Sequence, residues 1–179
     1  MINIIDNIRL RTVSLKDQGE LYALMSRIYP AVYQYLWDDD GAWYIDQIYT
    51  PNNLEVELSD PNGFYYFVEY DSKTIGILRI VDNCSPVYFK DKKGMKLHRI
   101  YLDPAIHGKG IGKTIINWTK EKAQNLDNEI LWLEAMDTSL DVIAFYEKLG
   151  FEKFEKFEFP LKKMEKKFRG MYRMWWEVG

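Results

Sequence analysis

The sequence has a single cysteine, no long hydrophobic run and, in its first half, a long stretch without positive charge. Cys84 alone cannot form an internal disulfide or a cysteine metal cluster, and we interpret it as an inert structural thiol. No run approaches the ~20 apolar residues that a membrane span needs. The N-terminus lacks the basic start and apolar core of a signal peptide. We therefore expect a cytoplasmic protein with no membrane partner.

Positive charge is absent from residues 28–72, which contain no Lys or Arg but nine carboxylates. These are Asp38, Asp39, Asp40, Asp46, Glu55, Glu57, Asp60, Glu69 and Asp71. Residues 151–173 have the opposite balance, with eight basic residues against four Glu, a local charge of +4. So acidic a first half argues against nucleic acid as a partner and favours a cationic one.

The length of 179 residues, with 47% hydrophobic and 16% aromatic residues, is enough for one domain with a buried core, expected over residues 1–179. The hydrophobic patterns predict a mixed α/β order. The predicted strands are 8–13, 64–68, 74–81, 96–102, 130–135 and a terminal pair, with a hairpin turn at 71–73. The predicted helices are a first one capped by Ser14, a helical or irregular segment at 31–60, 114–125, and one running from Ser139 to Gly150.

Two buried faces are also predicted from spacing. In the helix after Ser139, the apolar residues Val142, Phe145, Tyr146 and Leu149 lie at i, i+3, i+4 and i+7. In the last strand, alternation indicates that one set of residues faces the core. That set is Tyr172, Met174, Trp176 and Val178.

The most informative motif is the run His107-Gly108-Lys109-Gly110-Ile111-Gly112, which lies between a predicted strand and a predicted amphipathic helix. Glycines let a backbone approach a ligand closely. Unpaired amides at a helix N-terminus, together with the helix dipole, favour an anion. The motif therefore predicts a phosphate-bearing cofactor or substrate.

Two nucleotide-binding motifs compete for this loop. The run from Gly108 to Thr114 is close to the P-loop pattern G-x-x-x-x-G-K-[ST], but His107 stands where the first glycine should be. Residues 103–106 separate the strand from the loop, and the 65 residues after Thr114 are too few for the sheet that carries a second metal-binding acid. A Rossmann fingerprint is not matched. An NTPase, which would need magnesium and ATP, remains an alternative.

The stretch from Ile100 to Lys113 resembles the acetyl-coenzyme A loop of the GNAT acetyltransferases, in which a strand and a few residues precede R/Q-x-x-G-x-G/A at the start of a helix. The run Leu131-Trp132-Leu133-Glu134 and the later Ala144-Phe145-Tyr146-Glu147-Lys148-Leu149-Gly150-Phe151 fit the same family. The resemblance covers residues 64–160 and extends more loosely to the start. It implies a mixed, mostly antiparallel central sheet flanked by helices, with splayed central strands that hold the cofactor.

Three positions depart from the family pattern. His107 replaces the usual Arg or Gln, which affects a side-chain contact with the pyrophosphate but not the backbone cradle. Ser139 stands where many members have Asn, and Val142 where Ala is common. None of these changes removes a chemical group that the reaction needs.

The resemblance implies acetyl-CoA as cosubstrate, with no metal. Its pantetheine would lie along one strand like an added strand, its pyrophosphate on the loop amides, and its 3′-phosphate near a lysine. The implied strand residues are Ile100, Tyr101 and Leu102. The implied loop residues are His107, Gly108, Lys109, Gly110, Ile111, Gly112 and Lys113. Ser139 would contact the pantetheine arm, and Lys109, Lys113 or Lys148 the 3′-phosphate.

The reaction needs no covalent enzyme intermediate, because an amine can attack the thioester directly. Tyr146 lies at the family's general-acid position, although it also fits the apolar stripe of its helix. His98 is a candidate general base, since its ordinary pKa lies near neutrality. Glu134 and Glu69 are rival bases.

The acceptor is expected to be a small cationic, polyamine-like amine, because carboxylates beside aromatic faces attract such molecules. The substrate residues expected in the acidic segment are Tyr33, Trp37, Asp38, Asp39 and Asp40. The alternative for these residues is a solvated loop over an aromatic core. A protein N-terminus or lysine as acceptor, and a non-catalytic acyl-CoA sensor, are the other functions considered. A homodimer through the Trp175 face of the tail is left open.

Overall fold

The computed structural model describes all residues, Met1–Gly179, and contains eight strands and six α-helices in the mixed order that the sequence predicts. The strands are β1 (Ile2–Ile5), β2 (Ile8–Thr12), β3 (Gly63–Tyr70), β4 (Lys73–Val81), β5 (Gly94–Leu102), β6 (Ile130–Met136), β7 (Glu152–Glu158) and β8 (Gly170–Glu177). The helices are α1 (Gln18–Ile28), α2 (Pro30–Tyr33), α3 (Ala42–Ile48), α4 (Pro51–Ser59), α5 (Ile111–Asn125) and α6 (Leu140–Lys148).

The strands form one sheet in the order β1-β2-β3-β4-β5-β6-β8-β7. Strand β2 pairs antiparallel with β1 and β3, and β8 pairs antiparallel with β6 and β7. Strands β5 and β6 are parallel. The predicted fold class, a mixed and mostly antiparallel sheet flanked by helices, is confirmed.

The pairing of β5 with β6 stops partway along both strands. It runs from Gly94 opposite Ile130 to Leu97 opposite Leu133. Strand β5 nevertheless continues to Leu102, and β6 continues beyond Leu133. The register between the two strands therefore ends before residues 100–102.

The chain forms two compact units. The first comprises Met1–Ile80 and Arg99–Ile116, and the second comprises Val81–His98 and Asn117–Gly179. In the first, α1 buries one face, formed by Leu21, Leu24, Met25 and Ile28. In the second, the centre of β6 and Met174 of β8 are buried. The single domain over residues 1–179 stays a prediction. No helix is both long enough and apolar enough to cross a membrane.

The predicted hairpin between β3 and β4 is confirmed in its local geometry. Asp71 and Ser72 both have left-handed backbones, with φ of 48° and 62°. Two successive positive φ values match the right-handed twist of the flanking strands in a two-residue turn. The sequence prediction missed β1, whose four residues are too few to give a clear alternation.

The predicted face of α6 is partly wrong. Val142 is 36% exposed, whereas its neighbour Ile143 is 3% exposed and Tyr146 is 7% exposed. The buried face of this nine-residue helix therefore runs through Ile143 and Tyr146. In β8, Met174 is fully buried as predicted. The opposite face is covered as well, because the Trp175 ring lies 4.6 Å from the Phe89 ring. Alternation in β8 thus separates two partly covered faces.

Candidate active site

The glycine-rich loop turns through two left-handed residues before α5 begins. Gly108 has φ of +78° and Gly110 has φ of +77°. Side chains rarely adopt this conformation, so glycine is needed at both positions. A Cβ placed on either residue would meet nothing within 4 Å, so the space beside both is open. Ile111 is 2% exposed and anchors the start of the helix.

The amides of this loop are available to a ligand. None of the six backbone N–H groups from Gly108 to Lys113 donates a hydrogen bond within the protein. The first amide with a partner is that of Thr114, which donates to the Gly110 carbonyl at 3.0 Å. Consecutive unpaired N–H groups at a helix N-terminus form a cradle for phosphate oxygens. These amides lie where the motif predicts an anion site, and that site stays a prediction.

The start of the loop is fixed to strand β4 and helix α1. The Asp103 amide donates to the Ile75 carbonyl at 2.7 Å. The Asp103 carboxylate accepts from the Ala105 amide at 2.9 Å and from the Arg27 guanidinium. The Arg27 hydrogen bond, with the Ala105 amide, lowers the pKa of Asp103 despite some burial that opposes it. These contacts of Asp103 fix the start of the loop and do not involve Gly108 or Gly110.

Strand β4 approaches β5 closely at Gly76. A Cβ at Gly76 would lie 2.2 Å from the Tyr101 carbonyl oxygen and 2.8 Å from the Leu102 side chain. Only a residue without a side chain permits this approach. Gly76 therefore sets the position of the β5 backbone that is predicted to contact pantetheine, and the sequence analysis did not single it out.

The side chains expected around the cofactor have different settings. His107, Lys113 and Lys148 are exposed. Lys109 is exposed too, and its ammonium lies 5.3 Å from the centre of the Tyr70 ring. Ser139 precedes α6, and its carbonyl accepts from the Ile143 amide, but its hydroxyl makes no capping hydrogen bond. Their roles at the cofactor stay predictions.

The carboxylates of the acidic segment, residues 28–72, differ in their hydrogen bonds and ion pairs. Asp38, Asp39 and Asp40 are all exposed. The Asp39 carboxylate, however, accepts from the amides of Gly41 at 3.2 Å and Trp43 at 3.0 Å. Asp39 thus caps the start of α3, as side-chain oxygens do at helix N-termini.

Arginines from other parts of the chain neutralise two further carboxylates of this segment. Glu57 lies 2.8 Å from Arg99 and 3.6 Å from Arg79. Glu69 lies 2.8 Å from the Arg11 Nε atom. The segment has no cation of its own, but the fold supplies these from other segments. Its excess negative charge is therefore concentrated on its other carboxylates, most of which are exposed.

Aromatic residues in and between α2 and α3, together with Tyr29 just before α2, pack on one another and on β5. The Tyr29 and Tyr44 rings stack at 4.6 Å, and Tyr29 and Tyr33 each meet the Tyr101 ring edge-on, at 5.5 and 5.6 Å. The Trp37 indole N–H donates to the Tyr29 hydroxyl at 3.1 Å, and Trp37 is only 5% exposed. Trp37 is thus a packing residue of this cluster, whereas Tyr33 and Tyr44 are half-buried.

One hydrogen bond joins the aromatic segment, residues 29–49, to the predicted cofactor strand β5. The Tyr44 hydroxyl and the Tyr101 hydroxyl lie 3.3 Å apart, and either can be the donor. Burial, and then the neighbouring Tyr44 and Tyr29, raise the pKa of Tyr101 well above its ordinary value, so its phenol stays protonated. Sequence analysis missed this contact, since it expected only the Tyr101 backbone to act.

A buried ion pair supports the same region. The Arg99 side chain is 8% exposed and the Glu57 side chain 10% exposed. Burial lowers the pKa of Arg99, but Tyr44, Tyr49 and Glu57 outweigh it and raise that pKa above its ordinary value. Arg99 therefore stays charged and ties α4 to β5.

The candidate acid Tyr146 and the candidate bases His98 and Glu134 lie in the second unit, and the rival base Glu69 lies in the first. Tyr146 is at the end of α6, with its ring 5.6 Å from that of Phe151. His98 is half-buried in β5. Glu134 is held by Lys96 at 2.9 Å and by Arg173 at 3.0 Å. The rival bases Glu134 and Glu69 are thus both engaged in ion pairs.

No group of three or more His, Cys, Asp or Glu side chains is placed to hold a metal ion.

The loop, the strand order and the helix positions together match the fold that the GNAT resemblance implies. The family model described as "Acetyltransferase (GNAT) family" matches residues 20–151. The chain belongs to this family and is an N-acetyltransferase, as the sequence resemblance predicts.

Similar proteins agree with this assignment. An "Uncharacterized N-acetyltransferase in pepI 3'region" from Lactobacillus delbrueckii subsp. lactis is 24% identical over 155 residues, which are 86% of this chain and 90% of that protein. The PaiA N-acetyltransferase from Thermoplasma acidophilum, solved with coenzyme A, has a TM-score of 0.70 at 19% identity, over 95% of this chain and 98% of that one. The spermidine N-acetyltransferase from Vibrio cholerae, solved with CoA and spermine, has a TM-score of 0.68 at 16% identity, over 97% of both chains. These two structures establish the fold.

Proposed function

We propose that this protein transfers an acetyl group from acetyl-CoA to a primary amine of a small, cationic, polyamine-like acceptor. The observation that carries the cofactor part is the run of six loop amides, residues 108–113, without partners in the protein. Open space beside Gly108 and Gly110 fits a diphosphate lying against that backbone. Acetyl-CoA supplies the activated acetyl thioester.

The chain's own residues divide the cofactor between strand and loop. The backbone of Ile100, Tyr101 and Leu102 would hydrogen-bond the pantetheine arm, and the amides of residues 108–113 would hold the pyrophosphate. The exposed side chains of His107, Lys109, Lys113 and Lys148 are candidates for the remaining phosphate, and Ser139 for the pantetheine. Because the main contacts are backbone ones, the replacement of Arg or Gln by His107 does not remove the cradle.

The acceptor part rests on charge and exposure. Asp38 and Asp40 are exposed and have no cation within their segment, so they create a negative potential that attracts cationic molecules. Half-buried Tyr33 offers an aromatic surface nearby in the chain. Asp39 belongs to the same acidic turn, residues 38–40, but caps α3. Trp37, the residue before this turn, is a buried packing residue. The spermine carried by one structure of similar fold is in line with this acceptor class.

The chemistry asks for a neutral amine, a polarised thioester carbonyl and an acid for the departing thiolate. We assign the acid to Tyr146, whose phenol would give a proton to the thiolate sulfur. We assign the base to His98, which would take the proton that the attacking amine loses. The ion-paired state of Glu134 and Glu69 leaves His98 as the better candidate.

The experiment is acetyl-CoA-dependent thiol release across a panel of amines: spermidine, spermine, an aminoglycoside, free amino acids and a lysine peptide. The proposal expects the polyamines to accelerate release most. Turnover of the lysine peptide alone would replace the polyamine with a protein acceptor. Tight CoA binding without release by any amine would instead indicate a sensor.

Two substitutions test the assigned acid and base. Tyr146→Phe should lower kcat by about 10²- to 10⁴-fold, the usual worth of general acid catalysis, with CoA affinity unchanged. His98→Gln should remove the limb of the pH–rate profile near neutrality. An unchanged kcat in the first variant, or an unchanged profile in the second, contradicts the corresponding role.

A further inference from the structure

The hydroxyl pair of Tyr44 and Tyr101 connects two regions that the proposed function uses separately. Tyr101 belongs to the strand segment that would hold pantetheine, and Tyr44 belongs to α3 of the acidic segment. Their hydroxyls lie 3.3 Å apart. All the residues used below lie in the first unit of the chain.

We propose that the Tyr44 hydroxyl, held by Tyr101, is the hydrogen-bond acceptor that orients the reacting amine of the substrate. The proposal rests on the proposed function, because it needs an amine acceptor. It assigns Tyr44 as a substrate-binding residue and Tyr101 as the residue that positions it.

The direction of the hydrogen bond follows from the surroundings of Tyr101. Its ring packs against Tyr29 and Tyr33, its side chain is half-buried, and its phenol stays protonated. The Tyr44 oxygen is the partner within hydrogen-bond distance of the Tyr101 hydroxyl. Tyr101 therefore donates to Tyr44, and the second lone pair of the Tyr44 oxygen is left to accept from an amine N–H.

Orientation is what a nucleophilic amine requires. An amine that donates an N–H to Tyr44 keeps its nitrogen lone pair for the thioester carbon. Because the Tyr101 side chain and the Tyr101 backbone belong to one residue, the hydroxyl pair lies one side chain away from the segment predicted to hold pantetheine. Binding of this kind holds the amine beside the thioester without a covalent step.

The packing around Tyr44 is rigid enough to hold this geometry. Its ring stacks on Tyr29 at 4.6 Å with the planes 15° apart, and it meets the Tyr49 ring edge-on at 6.5 Å. Tyr29 is in turn fixed by the indole of Trp37. Tyr44 is nevertheless half-buried, so part of it stays accessible to a small molecule.

The matched control comes from the same cluster. Tyr49 is fully buried, and its hydroxyl has no hydrogen-bond partner. Tyr49→Phe removes a hydroxyl from the same aromatic cluster but takes no hydrogen bond away. A second control is Tyr22→Phe, which removes a hydroxyl bonded to Asp46 at an exposed position.

The test compares Tyr44→Phe, Tyr101→Phe, Tyr49→Phe and Tyr22→Phe in thiol release with spermidine at saturating acetyl-CoA, or with whichever panel amine the wild type accepts best. CoA affinity is measured by calorimetry and folding by Tm. Loss of one hydrogen bond to the amine, about 0.5–1.5 kcal/mol, corresponds to a rise of about 2- to 12-fold in the amine KM. We expect this rise in Tyr44→Phe, a smaller one in Tyr101→Phe, and less than additive effects in the double variant. CoA affinity should be unchanged.

The two proposals fail differently. If the wild type releases thiol with an amine but Tyr44→Phe has the same amine KM as Tyr49→Phe, the role of Tyr44 is overturned and the proposed function stands. If the wild type releases no thiol with any amine, both are overturned. A rise in KM accompanied by an equal loss of CoA affinity also overturns the orienting role, because it indicates general disruption.

Discussion

The glycine-rich loop and the aromatic segment belong to the same unit of the chain but differ in how their polar groups and space are used. The loop keeps six backbone amides without protein partners and leaves open space beside both glycines. The aromatic segment fills its space, with Tyr29 stacked on Tyr44 and Trp37 bonded beneath them. The loop therefore offers backbone to any anion of the right shape. The segment offers only those groups at its surface that packing leaves accessible.

This difference separates what each region demands of the sequence. A backbone cradle needs particular φ values, which glycine supplies locally. A side-chain surface depends on what other segments bring to it, as Arg99 brings charge to Glu57 and Tyr101 brings a hydroxyl to Tyr44. Substitutions in the loop should therefore affect the cofactor, and substitutions in the segment should affect the amine.

The largest effect is expected from the loop. Gly108→Ala combined with Gly110→Ala forces two side chains into the left-handed region, at about 1–2 kcal/mol each. If the loop relaxes to avoid this, its amides no longer converge, and calorimetry should show CoA binding weakened by about 30- to 1,000-fold.

Lys113→Ala is the contrasting change in the same loop, because it removes a charge and leaves the backbone intact. It should weaken CoA binding only a few-fold. A complete loss of binding in Lys113→Ala, with little change in the glycine variant, would show that the lysine and not the backbone holds the phosphates.

The second effect concerns Gly76, whose close approach to Tyr101 sets the position of the β5 backbone. Gly76→Ala places a Cβ 2.2 Å from the Tyr101 carbonyl oxygen. Overpacking of this kind costs about 1–3 kcal/mol, and Tm should fall by about 2–4 °C for each kcal/mol in a chain of this size. Gly19→Ala in α1, where a Cβ meets nothing within 4 Å, is the matched control and should leave Tm unchanged or raise it.

The third effect separates charge from capping in the acidic turn. Asp38→Asn with Asp40→Asn should raise the spermidine KM by about 2- to 5-fold at low ionic strength, and added salt should remove the difference. Asp39→Ala should show mainly as a lower Tm, since Asp39 caps α3. An unchanged KM in the double variant would indicate that Asp38 and Asp40 form a solvated loop with no role in binding the amine.

The smallest effect concerns the anchor of the loop. Arg27 lowers the pKa of Asp103 below its ordinary value of about 3.9. The folded state therefore gains stability from the Asp103 carboxylate above that value and loses it as pH falls through the lowered pKa. The stability difference between wild type and Asp103→Asn should shrink as the pH falls from about 5 through the ordinary pKa of about 3.9 and on through the lowered pKa. Chemical unfolding at several pH values measures it, and a difference independent of pH is the contrary result.

The sequence predicted most of the fold because the elements carry local signals. The loop glycines, the two-residue turn at Asp71 and Ser72, and Gly150 with its left-handed backbone at φ +84° are all readable without the structure. Strand β1 was missed because it is short. The face of α6 was misplaced because its nine residues leave room for only two buried positions.

The candidate site was only partly predictable for a physical reason. The cradle depends on neighbouring residues in the chain. The contacts of Tyr44 with Tyr101 and of Glu57 with Arg99 instead span 57 and 42 residues. Periodicity cannot report such pairings. One signal was available. Arg99 and Tyr101 alternate on one strand and so share a face, and polar side chains are uncommon on the face of a buried strand.

The central claim, acetyl transfer to a polyamine-like amine, is tested most directly by mass spectrometry of spermidine incubated with the protein and acetyl-CoA. The account predicts monoacetylated spermidine that forms in step with free thiol and that is strongly reduced with Tyr146→Phe. Thiol release without acetylated spermidine, or no release in a protein that binds CoA, would contradict it.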